Sequence, residues 1–292
     1  LDLHLIGEGR HETLWTVLGA HVRRYPSAMG DITGVAFAVW APNAQAVRVI
    51  GDFNGWDGSE HAMRSLGSSG VWEIFIPGLG SGATYKFRIL GRDGGWREKA
   101  DPMAFGTEVP PSTASRVFES DYEFQDDEWM ERRATTDPHN APMSVYEMHI
   151  GTYTKAGTWQ AASSHLEEIA ALGVTVLELM PVAEFPGRFN WGYDGVAPFA
   201  PAHVYGTPDD MRRFADHAHA AGLCVVLDVV YNHMGPDGCY FRDFAEEYFS
   251  TEHTTDWGPA LNFDGPGSSH VREYFLANAE YWIREFHLDG LR

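Results

Sequence analysis

Cysteine is nearly absent: two occur in 292 residues, Cys224 inside an apolar run and Cys239 in a glycine-rich loop. No disulfide framework holds such a fold, and a reducing, cytoplasmic setting is the expectation. Basic side chains are also scarce, 21 against 41 acidic ones, for a net charge of −20. A surface of that sign repels phosphate backbones and anionic leaflets, which argues against nucleic acid and membrane as partners and leaves a neutral ligand. Long apolar runs are missing as well. The longest, residues 34–42 and 223–230, fall well short of the ~18 residues that a membrane-spanning helix needs. The N-terminus, LDLHLIGEGRHETLW, lacks the basic start and apolar centre of a secretory signal. It also lacks an initiating Met, and the chain is read as a piece of a longer protein.

What is present is ample core material, 44% apolar residues, in a length that suits one large domain or two modest ones. The texture changes near the middle. After an N-terminal segment, residues 1–30, short strands broken by turn chemistry fill residues 31–125, the pattern of an antiparallel β-sandwich. Tyr85-Lys86-Phe87-Arg88-Ile89 alternates apolar and charged, so one face packs inward and the other is wet. Asp93-Gly94 supplies a tight turn, and further strands are expected at residues 35–40, 47–50 and 72–76. Residues 126–143 are polar and charged, with Pro138 and Pro142 bracketing their end, and read as a linker or a docking segment. From residue 144 the period changes to short apolar strands at 144–150, 174–180 and 223–229, each followed by a helical pattern. Such βα units imply a parallel sheet, and the last residues enter a fourth strand. Ala162, His165, Leu166 and Ile169 form the inward face of one helix. Thr207-Pro208-Asp209-Asp210 opens the next, and Phe275, Ala279, Trp282, Ile283 and Phe286 line a third.

The lengthening loops after these strands point to a site at their C-terminal ends, as in a barrel. A doubly wound sheet is the rival architecture, but no glycine-rich phosphate fingerprint follows any strand. The strongest local signal is Asp228-Val229-Val230-Tyr231-Asn232-His233. A carboxylate ending a buried strand must have a specific partner, because leaving it unpaired would cost several kcal/mol. Trp191-Gly192-Tyr193-Asp194 offers flat apolar faces with polar edges, the shape that stacks on sugar rings, although core packing explains most aromatics. His217 and His219, two apart on a helix, point in different directions and are expected at the surface. His149 is either a ligand contact or a hydrogen-bonded core histidine. Trp40 and Trp72 are expected in the core, while Trp56 is left between core and carbohydrate platform.

These residues resemble the α-amylase superfamily, glycoside hydrolase family 13. Residues 228–233 look like its first signature region, and Asp289-Gly290-Leu291-Arg292 looks like the start of its second. The implied fold is an immunoglobulin-like, carbohydrate-binding β-sandwich followed by the first half of a (β/α)8 barrel, residues 144–292. In the first half, Gly51-Asp52-Phe53-Asn54-Gly55-Trp56-Asp57, Lys99-Ala100-Asp101-Pro102 and residues 105–111 are similar to the glycogen branching enzymes. Residues 127–130 and 141–147 continue that likeness. In the second half, Trp191 to Asp194 and DVVYNHMG, with Glu184-Phe185-Pro186-Gly187-Arg188, are similar to the malto-oligosyltrehalose trehalohydrolases.

The resemblance implies a retaining reaction on an α-glucan: formation of α-1,6 branches in glycogen, or alternatively hydrolysis, or glucan binding without turnover. Asp228 and His233 would line the subsite of the sugar ring under attack, with Tyr193 stacked beneath it. Trp191, Asp194 and Asn232 would complete the substrate-binding set. Arg292 would orient the nucleophilic Asp and keep it ionised. That Asp is expected two positions beyond Arg292, so none of the three catalytic carboxylates is expected within these residues. Neither cofactor nor metal is expected, although Asn232 matches a calcium-binding position of many amylases. A monomer is expected.

Overall fold

A computed structural model describes residues 1–28, 30–137 and 140–292. The first half contributes β1 (Gly19–Tyr25), β2 (Ile32–Trp40), β3 (Ala46–Gly51), β4 (Arg64–Ser65), β5 (Val71–Pro77), β6 (Thr84–Leu90), β7 (Trp96–Lys99) and β8 (Ser115–Arg116). They form two antiparallel sheets, one ordered β1-β2-β5-β4 and the other β3-β6-β7 with β8 also paired to β6. The alternation expected around residue 87 is realised: Tyr85, Phe87 and Ile89 are buried while Lys86 and Arg88 lie on the opposite, wetter face. Between the sheets Phe37 meets Tyr85 edge to face at 4.9 Å. The sheet reaches back beyond residue 31, because Gly19–Tyr25 pairs along its whole length with Ile32–Trp40. Its outer end, His21-Val22-Arg23-Arg24, carries too much charge to announce a strand.

The second half contributes β9 (Val145–Met148), β10 (Val176–Leu179), the short pair β11 (Ala183–Glu184) and β12 (Ala197–Pro201), β13 (Cys224–Leu227), the hairpin β14 (Phe249–Thr255) and β15 (Gly258–Leu261), and β16 (Gly290–Leu291). Strands β9, β10, β13 and β16 pair in that order and all in parallel, as the βα reading requires. The helix Pro208–Ala220 opens as its sequence demands. The Thr207 hydroxyl accepts from the Asp210 N–H, and the Asp210 carboxylate accepts from the Thr207 N–H. The pattern around Ala162 yields two short helices, Trp159–Ser163 and Leu166–Ala171, with Ala162, Leu166 and Ile169 buried.

One core joins the halves. The helix Ser268–Glu285 buries Phe275 and Trp282 together with Tyr274 and Tyr281. Tyr281 packs against Trp15 at 5.8 Å and Phe105 at 5.8 Å, both from the first half. Trp40 is buried as expected, but in this seam, stacked on His270 at 5.0 Å with 10° between the planes. Trp72 is half-buried and its indole N–H donates to the Ala41 carbonyl, whereas Trp56 is exposed.

The polar stretch after residue 126 is a docking element: Asp127–Thr135 is a helix. Its Trp129 indole donates to Asp289 at 2.9 Å, and Arg133 donates to the Leu288 carbonyl at 2.9 Å. Pro138 lies outside the described residues.

The expectation that His219 is a surface residue is wrong. Its side chain has no exposed surface, because Asp126 and Asp289, distant in sequence, close over it. Nδ1 lies 2.8 Å from Asp126 and Nε2 3.0 Å from Asp289, and the ring stacks on Trp129 at 4.7 Å. Each ring nitrogen thus faces a carboxylate. Asp126 also takes His287, at 3.0 Å. His217, by contrast, is exposed. Burial alone would raise the Asp289 carboxyl. Hydrogen bonding and charge from His219, with the Trp129 and Val225 N–H groups, outweigh it and hold the carboxyl below its ordinary range.

His219→Ala takes one buried partner from each of two carboxylates and leaves a cavity between them, and is expected to destabilise the chain by roughly 3 kcal/mol in a urea melt. Because the folded Asp289 value is depressed, its contribution is present above the unfolded pKa of about 3.9 and is lost as pH falls through the folded value. A His219→Ala chain as stable as the unmodified one at pH 7 would refute this role.

Candidate functional site

The C-terminal ends of β10, β13 and β16 gather the polar side chains. Asp228 follows β13 directly, and its backbone N–H still donates to the Leu179 carbonyl at 2.8 Å. Arg292 follows β16 and donates its N–H to the Leu227 carbonyl at 2.9 Å. The ladder thus sets the two residues side by side. Asp228, only 6% exposed, has the partner that its burial demands: the Arg292 guanidinium donates to Oδ2, and the Tyr193 hydroxyl donates to the same oxygen at 2.9 Å. Arg292 also reaches Glu178 on β10, at 3.3 Å. The neighbouring carboxylate raises the Arg292 pKa. Burial, then the hydrogen bond and charge of Asp228, raises the Tyr193 phenol.

Tyr193 is presented by a loop folded around Asn190. The Asn190 carboxamide oxygen accepts from the Gly192 N–H at 2.6 Å, its amide donates to Asp194 at 2.9 Å, and its carbonyl meets His149 Nε2 at 2.7 Å. Gly192 is required here: φ is +100°, and a Cβ would stand 2.3 Å from the Pro181 carbonyl oxygen. His233 is buried, with Nδ1 2.8 Å from the Asn232 side-chain oxygen and Nε2 donating to the Tyr193 carbonyl at 3.0 Å.

Asp228, Tyr193, His233, Asn232 and Arg292 therefore stand in one constellation. Two other residues singled out in the sequence are placed differently. Trp191 shares the loop but is 78% exposed, and the Asp194 carboxylate is turned back onto Asn190. His149 is a hydrogen-bonded scaffold residue. Three participants escaped the sequence reading. Glu178, the lone charge in the apolar run Val176-Leu177-Glu178-Leu179, was the detectable one. Asn190 and Trp257 give no local signal. Trp257 sits at the tip of the β14–β15 hairpin, its ring 6.5 Å from that of His233.

A larger cleft, about 840 Å³, lies apart from this constellation on the seam between the halves, lined by Val109, Pro110, Lys155, Arg188, His203 and Tyr240 among others. Glu184 ties it together, accepting from the Thr107 hydroxyl at 2.6 Å and meeting His203 Nδ1 at 2.7 Å. Size alone does not make it the reactive centre. Glu184 is as buried as Asp228 and as fully paired; what sets Asp228 apart is its place at the C-terminal end of the parallel sheet, facing a guanidinium. Among the described residues no group of three or more His, Cys, Asp or Glu side chains is placed to hold a metal ion, and no helix is long and apolar enough to cross a membrane.

Residues 17–104 match the family described as carbohydrate-binding module 48 (isoamylase N-terminal domain), and residues 125–260 match the alpha amylase catalytic domain. The chain is 50% identical over 300 residues to the 1,4-alpha-glucan branching enzyme GlgB of Rhodococcus jostii (strain RHA1), a match covering 100% of this chain and 41% of that protein. It is 50% identical over 305 residues to the same-named protein of Thermobifida fusca (strain YX), covering 100% of this chain and 40% of that one. A crystal structure from Salmonella typhimurium, described as a candidate alpha amylase, matches with a TM-score of 0.78 at 37% identity, over 94% of this chain and 43% of the other.

Asp228→Asn removes the charge facing the Tyr193 hydroxyl, and an NMR titration of the Tyr193 ring is expected to show its pKa falling toward the ordinary ~10. An unmoved titration would mean that the two groups are not coupled.

Proposed function

The chain belongs to the α-amylase superfamily, and from that premise we propose that it serves a 1,4-α-glucan branching enzyme, a retaining glucanotransferase that makes α-1,6 branches in glycogen. The observation that carries this reading is the 50% identity to branching enzymes along the whole chain, and Arg292 supports the retaining chemistry that it shares with its rival. The Arg292 guanidinium stands between Asp228 and Glu178 at the C-terminal end of the sheet, where a positive charge would favour the ionised form of a nucleophilic carboxylate placed beside it, the role that the resemblance implies. The branching relatives match along the entire chain, sandwich and half-barrel alike.

In the reaction a carboxylate attacks the anomeric carbon while a carboxylic acid protonates the departing glycosidic oxygen, leaving a covalent glycosyl-enzyme. The 6-hydroxyl of a second glucan then displaces the enzyme carboxylate. The resemblance assigns these carboxylates to strands following Arg292. The described residues bind and orient. Tyr193 stacks beneath the ring under attack, and its hydroxyl, held by Asp228, cannot swing away. Asp228 keeps a second carboxylate oxygen for sugar hydroxyls. His233 meets the same ring by exchanging one of its two present hydrogen bonds, to Asn232 and to the Tyr193 carbonyl, for a sugar hydroxyl. Trp191 presents an uncovered indole to a further sugar, and Asp194 shapes the loop through Asn190. The sandwich, with the seam cleft, delivers the glucan.

The segments WGYD and DVVYNHMG favour a second reading, hydrolysis in the manner of a trehalohydrolase, in which water replaces the 6-hydroxyl. A protein extended through the following barrel strands decides between them. Incubated with amylose, it is expected to give new α-1,6 linkages by NMR. Trehalose released from maltooligosyl trehalose, without new branches, would overturn the branching assignment.

A further inference from the structure

Trp257 has a place in the site that the reading above does not use. It occupies the two-residue turn Asp256-Trp257, between the Thr255–Gly258 pair of the β14–β15 hairpin. Neither turn residue takes a positive φ, so the backbone there makes no demand for Asn or Gly, and what Trp257 adds is its ring. The turn is stapled: the Trp257 N–H donates to Thr255 Oγ1 at 3.1 Å, and that hydroxyl donates to the Gly258 carbonyl at 3.0 Å. The root is fixed too, since Phe249 pairs with Leu261 and the Leu261 N–H donates to the Asn232 carbonyl at 3.3 Å. The root of the hairpin is thus tied to Asn232, the neighbour of His233, and its tip lies beside that same histidine, with 6.5 Å between ring centroids and 33° between planes. Yet the Trp257 side of this pair stays 71% exposed, while His233 is buried. On the order of 200 Å² of amphipathic ring is turned to water at the rim of the Asp228 constellation, on a backbone turn that is itself fixed.

Resting on the α-glucan reading of that site, we propose that Trp257 is a stacking platform for a glucosyl unit adjoining the one held by Tyr193, Asp228 and His233, and so sets a preference for longer malto-oligosaccharides over maltose. The C–H face of a glucosyl ring is apolar and covers the indole. The hydroxyls on the ring's rim remain in water, so no polar group has to be desolvated without a partner. The platform raises affinity only when the ligand is long enough to reach from His233 to the hairpin tip, which makes it a length gauge and not a general sugar contact.

Calorimetric titration of the 292-residue chain with maltoheptaose and with maltose tests the assignment, using Trp257→Ala, Trp257→Phe and Tyr193→Ala. Trp257→Ala is expected to weaken maltoheptaose binding about tenfold and maltose binding less than about twofold, and Trp257→Phe to restore maltoheptaose to within about threefold. Tyr193→Ala is expected to weaken both sugars. If Trp257→Ala binds like the unmodified chain while Tyr193→Ala does not, the platform is refuted and the glucan site stands. If Trp257→Phe loses as much as Trp257→Ala, the residue holds the hairpin and the stacking role is refuted. If the unmodified chain binds neither sugar, or Tyr193→Ala changes nothing, both the platform and the glucan reading of this site fall.

Discussion

A carboxylate at the end of a buried strand is an electrostatic liability, and at Asp228 it determines what must surround it. A guanidinium has to arrive from the next strand, a phenol from the loop before, and the histidine five residues on has to grip the carbonyl of that phenol's residue. Tyr193 thereby becomes the point at which two loops are locked, through its hydroxyl to Asp228 and through its carbonyl to His233. The constellation is rigid because each polar group in it satisfies another. Little reorganisation is left for the moment when a ligand arrives, the condition under which polar groups act most strongly.

The segment Asp289-Gly290-Leu291-Arg292, which brings the guanidinium, answers a second liability at the other end of the sheet. Asp289 and Arg292 bracket β16, one at its N-terminal end and one at its C-terminal end. Asp289 is held by His219, Trp129 and the Val225 N–H, and Arg292 by Asp228 and Glu178. Conserving geometry at one end therefore constrains the other. A shift of β16 by one residue would unpair Asp289 below and Asp228 above at once, so the register of the strand is fixed by charge as well as by its short ladder.

The parallel order of the sheet, the sandwich and the main polar constellation were legible because they rest on local period and on contiguous motifs. Asp228, Asn232 and His233 fall within six residues, and Tyr193 lies in an aromatic loop with few alternative uses. His219 was misread because helical spacing reports direction and not depth: its partners lie 93 and 70 residues away, and only the assembled fold buries it. Trp40 was rightly expected inside, but its neighbours, His270 and Tyr248, belong to the other half of the chain. Gly19–Tyr25 was invisible as a strand because its pairing partner, and not its own alternation, makes it one. Glu178 was the one omission with a readable signal, a charge in a strand otherwise apolar.

The seam described above bears on how such a chain can be recombined. Aromatic rings from Trp15, Trp40 and Phe105 interleave with Tyr248, His270 and Tyr281, and Glu184 reaches across to Thr107 at the cleft. A cut in the polar stretch after residue 126 looks convenient in sequence, but it separates surfaces that solvate each other. Grafting a foreign sandwich onto this half-barrel would expose mismatched rings on both sides unless the helix Ser268–Glu285 travelled with its complement. The heritable unit is the interface, and the two halves are free to diverge only on the faces that it does not use.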